Sequence, residues 1–174
     1  MLFDLQPILK GELLELRPLE PQDFSDLYNV AKDPLIWEQH PASDRYKEEV
    51  FKEFFREALE SGRAFAAIDS KNGKIIGSSR FYGYDREKSE IEIGWTFLAR
   101  SHWGGNYNKE MKHLMLYHAF KFVENVVFLV APQNLRSQKA MGKIGGVCVG
   151  LRKDDTGKDS LLYQITASSF KNLI

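Results

Sequence analysis

The residues best suited to bind a ligand form a glycine-containing loop between a strand-like run and a helix-like run. The strand-like run covers residues 91–98, and the loop at residues 100–107 reads R-S-H-W-G-G-N-Y. A strand, a loop and a helix N-terminus in this order expose several backbone N–H groups at the positive end of a helix dipole. Lys109 and Lys112 follow in the first helical turns, where a cation opposes the dipole and is unusual without an anion nearby. The loop therefore predicts a phosphate-binding site.

A second strand-to-helix junction follows about thirty residues later. Residues 126–130 read as a β-branched, buried strand, and Asn134 can cap a short helix that ends at Gly145 and Gly146. The strands before and after the long helix are expected to be parallel and joined by a right-handed crossover. Ligands in such sheets bind beyond the carboxyl ends of the strands, next to the helix N-terminus. Both junctions are therefore predicted to belong to one site.

Hydrophobic spacing indicates the elements that must position these junctions. Asn72-Gly73 is a strong hairpin turn, and period-two or period-3.6 patterns mark the flanking segments. Strands are expected at residues 12–19, 63–69, 74–82, 90–98, 126–130, 147–152 and 160–165, and helices at 24–31, 46–61, 109–124 and 134–145. This order predicts an α/β (α+β) fold over residues 1–174 as a single domain. Its sheet should be mostly antiparallel, with a parallel central pair and flanking helices.

Composition narrows the class of protein. Hydrophobic residues make up 43% and charged residues 28%, which is typical of a soluble globular protein. The formal net charge is zero, so we expect no partnership with nucleic acid or with a membrane surface. Cys148 is the only cysteine, which excludes an internal disulfide and makes a metal site unexpected. We expect a cytoplasmic protein without a signal peptide, in which Cys148 is buried between Val147 and Val149 as a small hydrophobic residue.

The order of elements and both junctions resemble the Gcn5-related N-acetyltransferase family, in particular the RimJ/RimL-like branch that modifies ribosomal-protein N-termini. In that branch the strand ends I-G-Y/W-x-L, which residues 93–98 match, and the loop W-G-x-G-Y-A/G is matched in part by residues 103–108. The second segment, N-x-x-S-x-x-x-M-x-K-x-G, is matched by Asn134, Ser137, Met141, Lys143 and Gly145. The resemblance extends from about Leu13 to Ile165.

This resemblance implies acetyl-coenzyme A as the donor. The pyrophosphate would then be held by the junction residues Trp103, Gly104, Gly105, Asn106, Tyr107, Asn108 and Lys109. The main chain of Thr96, Phe97 and Leu98 would pair with the pantetheine arm like an added strand. Asn134 would contact the pantetheine, and Ser137 would lie near the thioester sulfur.

Two departures from the family pattern affect these expectations. Asn106 and Asn108 occupy loop positions where small residues are usual, so they add bulk where backbone must approach phosphate. Met141 stands where many members have a tyrosine that protonates the leaving thiolate, and a methionine cannot do this.

The amine must be neutral to attack the thioester directly, so a base must remove its proton. Glu92 is the candidate for this general base. Strand alternation predicts Glu90, Glu92 and Gly94 on one face, opposite Trp95, and the alternative is that both glutamates lie on a solvated face. Ser137 is the second catalytic candidate, as a hydrogen-bond donor to the thiolate, and its alternative role is to support the Asn134 cap. A backbone N–H between residues 95 and 97 would polarise the thioester carbonyl.

The acceptor is expected to be a primary amine. A protein N-terminus is the leading class of acceptor, and a small amine or antibiotic is the alternative acceptor. The alternative function is that of a coenzyme A-binding protein without catalysis. Candidate substrate-binding residues are Trp37, His40, Arg80 and Tyr82, each of which could instead serve packing or surface display. The edge of the C-terminal hairpin could pair two copies into a homodimer.

Overall fold

A computed structural model describes residues 2–172 of the chain and contains one eight-stranded sheet. The spatial order is β1-β2-β3-β4-β5-β6-β8-β7. The strands are β1 (Leu9–Lys10), β2 (Leu14–Pro18), β3 (Ala64–Asp69), β4 (Ile75–Asp85), β5 (Glu90–Leu98), β6 (Asn125–Val130), β7 (Val147–Lys153) and β8 (Asp159–Thr166). Only β5 and β6 pair in parallel among these strands. The predicted fold class is therefore confirmed.

Five α-helices accompany the sheet. They are α1 (Phe24–Ala31), α2 (Glu48–Ser61), α3 (Tyr107–Ala119), α4 (Leu135–Lys143) and α5 (Ala167–Lys171). The short strand β1 and the five-residue α5, which Thr166 caps, lie outside the predicted elements. No helix within residues 2–172 is long and apolar enough to cross a membrane.

One face of the sheet is covered by α1 and α2. Phe51, Phe54 and Phe55 recur at helical spacing along α2 and pack with Trp37 and Phe97. Gly62 ends the helix in the left-handed conformation, with φ of 63°, which is the usual glycine C-terminal stop. The helix begins two residues later than predicted, because residues 44–47 form turns.

The other face of the sheet packs against α3. The side of α3 that carries Met111 and Met115 is fully buried in this cluster. Glu110 fastens the helix to β2, because its carboxylate accepts hydrogen bonds from the backbone N–H groups of residues 12–14 at 2.8–2.9 Å. The helix ends at Ala119 rather than at the predicted Glu124. The buried methionines and the Glu110 hydrogen bonds together hold the first half of α3 against the sheet.

A β-bulge interrupts the pairing of β4 and β5. Arg80 pairs with Gly94 and Ser78 with Phe97, so two residues of β5 face the single Ser79. Trp95 occupies the bulge with φ of +51°. Its ring therefore turns to the same side as Tyr82, at 5.1 Å between ring centroids. The predicted alternation, which placed Trp95 opposite Glu92, is wrong from the bulge onwards.

The edge strand β7 contradicts the expectation for Cys148. The cysteine is exposed, as are Val147, Val149 and Leu151. Because β7 pairs only with β8 and lies at the end of the sheet, apolar side chains there do not imply burial. The homodimer through this hairpin stays a prediction.

Candidate active site

A cavity of about 620 Å³ opens where the two parallel strands part. Pairing of β5 with β6 extends only from Glu90 and Asn125 to Glu92 and Val127. Beyond this point the strand edges at residues 93–96 and 128–131 form opposite walls of the cavity. A split between parallel strands leaves backbone edges able to pair with an extended ligand, as the pantetheine arm requires.

The first junction follows the cavity residue Thr96 along the chain and presents its backbone, although the predicted pyrophosphate-binding residues 103–109 do not themselves line the cavity. No acceptor within residues 2–172 receives the backbone N–H groups of residues 104–109, which include the first turn of α3. Gly104 has φ of +77°, which favours glycine, whereas Asn106 has φ of −100° and Asn108 is helical. Asparagine at these two positions is therefore compatible with the loop conformation. The free amides at a helix N-terminus fit a pyrophosphate group.

Side chains of the same loop are fixed to the protein instead. The indole Nε1 of Trp103 donates to the carbonyl of Leu98 at 3.0 Å, and the Tyr107 hydroxyl donates to Asp69 at 3.2 Å. Phe97 and Leu98 have buried side chains, and the Leu98 carbonyl is occupied by this contact. Of the three predicted pantetheine-pairing residues, only Thr96 lines the cavity.

Lys112 occupies a place that the sequence did not predict. It is 3% exposed, donates to the Thr96 hydroxyl, and lies 5.5 Å from the centre of the Phe128 ring. Burial lowers the pKa of Lys112 to about 7. Lys112 therefore forms part of the cavity wall and does not face a phosphate at the loop, whereas Lys109 is exposed at the start of α3.

The second junction contributes Asn134 and Ser137 to the cavity wall. Oδ1 of Asn134 accepts a hydrogen bond from the backbone N–H of Ser137 at 3.2 Å and so caps α4. Because the Ser137 backbone forms this bond, its hydroxyl does not form part of the cap. Met141 lies one helical turn further and also lines the cavity.

Glu92 faces the cavity from β5, and Glu90 does not. Glu90 is 9% exposed and forms a bidentate ion pair with Arg152 at 2.8 and 3.2 Å. Glu92 is half-buried beside Gly94, whose missing side chain leaves space next to the carboxylate. Burial, reinforced by Asp155, raises the pKa of Glu92 to about 7. Neither glutamate lies on a solvated face.

His40 lines the same cavity as a neutral donor. Its Nδ1 accepts from the backbone N–H of Ala42 at 2.9 Å, which leaves the proton on Nε2. Burial, together with the charge of Arg45, lowers the pKa of His40 to about 4. The imidazole therefore carries no charge at neutral pH.

The other predicted substrate-binding residues lie further from the cavity. Trp37 is 2% exposed, packs on Phe97, and donates to the carbonyl of Ala31 at 2.8 Å, so it is a core residue. Tyr82 is exposed, and its hydroxyl donates to Asp155 at 3.4 Å. Arg80 is buried behind Trp95, with its guanidinium 4.3 Å from the indole centre.

Sequence reasoning missed further charged cavity residues besides Lys112, and three of them illustrate why. Arg45 and Glu57 reach the cavity from the segment before α2 and from α2, and Asp155 reaches it from the β7–β8 turn. Charged residues in loops and on helix surfaces look solvated in a sequence. Only the tertiary fold brings these three segments together, and no spacing along the chain signals it.

Comparison with known proteins agrees with this geometry. Residues 14–147 match the sequence profile of the family described as "Acetyltransferase (GNAT) domain", and no curated protein sequence matches significantly. A solved GCN5-related N-acetyltransferase from Brucella melitensis is 19% identical, with TM-score 0.81 over 97% of this chain and 82% of its own. Mycobacterium smegmatis RimJ in complex with CoA-disulfide is 21% identical, with TM-score 0.66 over 93% and 87%.

A third solved structure is the ribosomal-protein-S5-alanine acetyltransferase from Vibrio fischeri, which is 18% identical, with TM-score 0.69 over 95% of this chain and 99% of its own. At these identities the structures support the fold, and the family profile covers well over half of the sequence. The chain belongs to the GNAT acetyltransferase family and is an N-acetyltransferase that moves acetyl from acetyl-coenzyme A to an amine.

Proposed function

We propose that the amine accepted by this enzyme is the α-amino group of a protein N-terminus, which attacks the thioester directly in a ternary complex. The observation that carries this proposal is the position of Glu92 at the opening of the strand split, with a pKa of about 7. An α-amino group has a pKa of ~8, close enough for a carboxylate of this basicity to remove its proton efficiently. A lysine amine, at ~10.4, would need more assistance.

The donor would lie along the split. The free N–H groups of residues 104–109 would bind the pyrophosphate, and Thr96 and Asn134 would contact the pantetheine arm. This arrangement would bring the thioester to the bulge at Trp95, where the regular pairing of β5 with β4 is interrupted. An N–H fixed in such a place can polarise the carbonyl that the amine attacks.

Two side chains are assigned roles in the transfer, one as a base and one as a hydrogen-bond donor. Glu92 accepts the proton of the attacking ammonium group, directly or through a water molecule. The Ser137 hydroxyl, which the Asn134 cap leaves available, donates a hydrogen bond to the departing thiolate. Met141 cannot act as an acid, so the leaving thiolate would be stabilised by the serine and take its proton from solvent, without the tyrosine found in many members of the family.

The N-terminal acceptor is favoured by two observations. One structural neighbour is named as a ribosomal-protein-S5-alanine acetyltransferase, and another, RimJ, carries the name of the branch that the sequence resembles. Pro41, Asp155 and Thr156 also line the cavity and are exposed, so a peptide could approach the cavity along this side. A small amine is the alternative acceptor, because the same cavity encloses one easily.

The test is a turnover assay that follows coenzyme A release with peptides and small amines as acceptors. We expect peptides with free N-termini to be acetylated and the same peptides with a blocked N-terminus to be inert. Equal turnover of blocked peptides that contain lysine would contradict the α-amine assignment. Thermal stabilisation by acetyl-coenzyme A, compared with dephospho-coenzyme A and ATP, tests the donor site separately. Ligand at 100 times its Kd should add roughly 2.7 kcal/mol, and stabilisation without any turnover would indicate a non-catalytic binding protein.

A further inference from the structure

Two arginines beside the acceptor end of the cavity have no anionic partner. No carboxylate of residues 2–172 lies within 4.0 Å of either Arg45 or Arg80. We propose that these arginines bind a carboxylate carried by the acceptor close to its reacting amine. This inference rests on the proposed N-acetyltransferase site and names a class of substrate for it, a carboxylate-bearing primary amine.

Arg80 is the stronger sign that a ligand is required. Its side chain is 5% exposed, and its Nη2 is a buried nitrogen without a hydrogen-bond partner in the described part of the chain. The guanidinium lies between the rings of Trp95 and Phe54, at 4.3 and 5.3 Å from their centres. A buried charge without a counterion is unfavourable, so an anion bound close to Arg80 would be stabilised by its charge.

Arg45 provides the direct contact with the cavity. It lines the cavity wall, and its guanidinium carbon lies 4.4 Å from the centre of the same Phe54 ring. Because both guanidinium groups lie against the Phe54 ring, a carboxylate that accepts hydrogen bonds from Arg45 in the cavity would also be stabilised by the nearby charge of Arg80. Burial lowers the pKa of both arginines to about 10, so both remain charged at neutral pH.

The surrounding charges favour a monoanion. Glu57, Glu92 and Asp155 line the cavity without contacting the arginines. Three acidic groups close to two cations would oppose a doubly charged phosphate more than a carboxylate. Glu57 is exposed on α2, so it can also turn towards Arg45 when no ligand is present. A Glu57 variant therefore belongs in the test.

The register of the sheet sets the distance between the two acceptor groups. Arg80 pairs with Gly94 and Tyr82 pairs with Glu92, so Arg80 and Glu92 are diagonal neighbours, roughly 7–8 Å apart at the backbone. An acceptor with its amine at Glu92 and its carboxylate at the arginines needs only a few bonds between the two groups. A free amino acid and a peptide with an acidic residue at its first or second position both satisfy this requirement.

The test uses matched acceptors that differ only in charge. Peptide pairs with glutamate or glutamine at the first or second position, and free amino acids paired with their amides, would be compared by kcat/KM. We expect the carboxylate member to be preferred by about tenfold or more, as for a hydrogen bond to a charged group. The better of the two sources, peptide or free amino acid, identifies the natural acceptor. Equal kcat/KM values within every pair would overturn the proposal while leaving the acetyltransferase assignment intact.

Substitutions test whether the two arginines cause the preference for the carboxylate acceptor. Arg45→Gln should bring the ratio of the two kcat/KM values close to one, and Arg80→Gln should do the same. Arg80 is buried, so its variant could fail to fold; the half-buried Arg45 then provides the test. Arg86→Gln, in an exposed turn, is the matched control and should keep the preference. Glu57→Gln should increase it. An unchanged preference in Arg45→Gln would overturn the assignment of the carboxylate to this pair.

Binding is measured in parallel, through tryptophan fluorescence with the same peptides and amides. Trp95 lies against Arg80 and should report occupancy. Preferential binding of the carboxylate peptide without turnover would support the arginine site and refute the proposed transfer. If neither member of any pair binds or reacts, the arginine site is refuted.

Discussion

The donor and acceptor ends of the proposed site offer their ligands different kinds of groups. The proposed donor end consists mainly of backbone: the strand edges beside the split, and the free amides of residues 104–109 beyond the cavity lining. The proposed acceptor end consists of side chains from separate segments, above all Glu92, His40 and Arg45, with Arg80 buried behind Trp95. A backbone site suits a ligand common to a whole family, whereas a side-chain site can change its substrate by substitution.

Each end also contains one buried group whose pKa is about 7. Burial disfavours the charged form in both cases, so it raises the pKa of Glu92 and lowers that of Lys112. Only Glu92 lies where an attacking amine would be. The comparison therefore predicts that Glu92 affects chiefly kcat, while Lys112 affects chiefly the free energy of unfolding.

The largest expected effect is that of Glu92→Gln. Removing a general base costs about 10²–10⁴ in kcat, whereas the thermal shift with acetyl-coenzyme A should stay as in the wild type. In the wild type, kcat/KM should rise with pH up to about 7 as Glu92 loses its proton, and this limb should be missing from the variant. Assays from pH 5.5 to 8.5 check this, and a variant that retains both rate and limb would remove Glu92 from the mechanism.

The two ends also differ in how far the sequence predicts them. Turn residues and hydrophobic spacing gave most strands, and the motif at residues 103–108 together with Asn134 marked the donor end. These signals are local, because a glycine, a cap or a helix N-terminus is specified by neighbouring residues. The loop amides and the Asn134 cap could therefore be predicted, and the structure shows the cap as expected.

The acceptor end depends on contacts that no local pattern encodes. The bulge at Trp95 breaks the period-two alternation and turns the indole towards Arg80, although nothing in the run I-E-I-G-W-T-F-L indicates where the extra residue sits. Arg45 and Asp155 come from a loop and a turn far apart in the chain. Cys148 was placed wrongly for a related reason, because alternating apolar residues do not distinguish an edge strand from a central one.

Lys112→Met should separate stability from catalysis. The pKa of Lys112 is lowered in the folded state, so the unfolded chain binds more protons between pH 7 and pH 10.5 and stability should rise with pH across that window. Relative to the variant, the wild type should gain roughly 2–3 kcal/mol in free energy of unfolding between pH 7 and pH 9. Urea unfolding at several pH values measures this difference.

The control for this prediction is Lys109→Met, on the same helix but exposed. It should reproduce the pH dependence of the wild type. If the free energy of unfolding of Lys112→Met depends on pH as in the wild type, Lys112 is charged in the folded protein. Nearby groups then stabilise that charge, and burial does not dominate its pKa. A large loss of kcat in Lys112→Met would instead assign this lysine to the reaction and remove the contrast with Glu92.

Gly104→Ala tests the backbone character of the donor end. A non-glycine residue at φ of +77° costs about 1–2 kcal/mol. If the loop must hold this conformation to bind pyrophosphate, KM for acetyl-coenzyme A should rise roughly tenfold, with little change in KM for the acceptor. Gly105→Ala has no positive φ and no atom within 4 Å of an added Cβ, so its effect should be smaller. Equal effects of the two changes would show that the loop rearranges when it binds.

The smallest expected effect distinguishes the two roles considered for Ser137. The cap of α4 uses the Ser137 backbone N–H and the Asn134 side chain, so Asn134→Ala should destabilise the protein by about 1 kcal/mol and Ser137→Ala should not. If the hydroxyl hydrogen-bonds the leaving thiolate, Ser137→Ala should lower kcat roughly threefold to tenfold without changing KM for acetyl-coenzyme A. Melting curves and steady-state kinetics on both variants give the answer. A stability loss in Ser137→Ala without a change in kcat would return the serine to a structural role, leaving Glu92 as the single side chain in proton transfer.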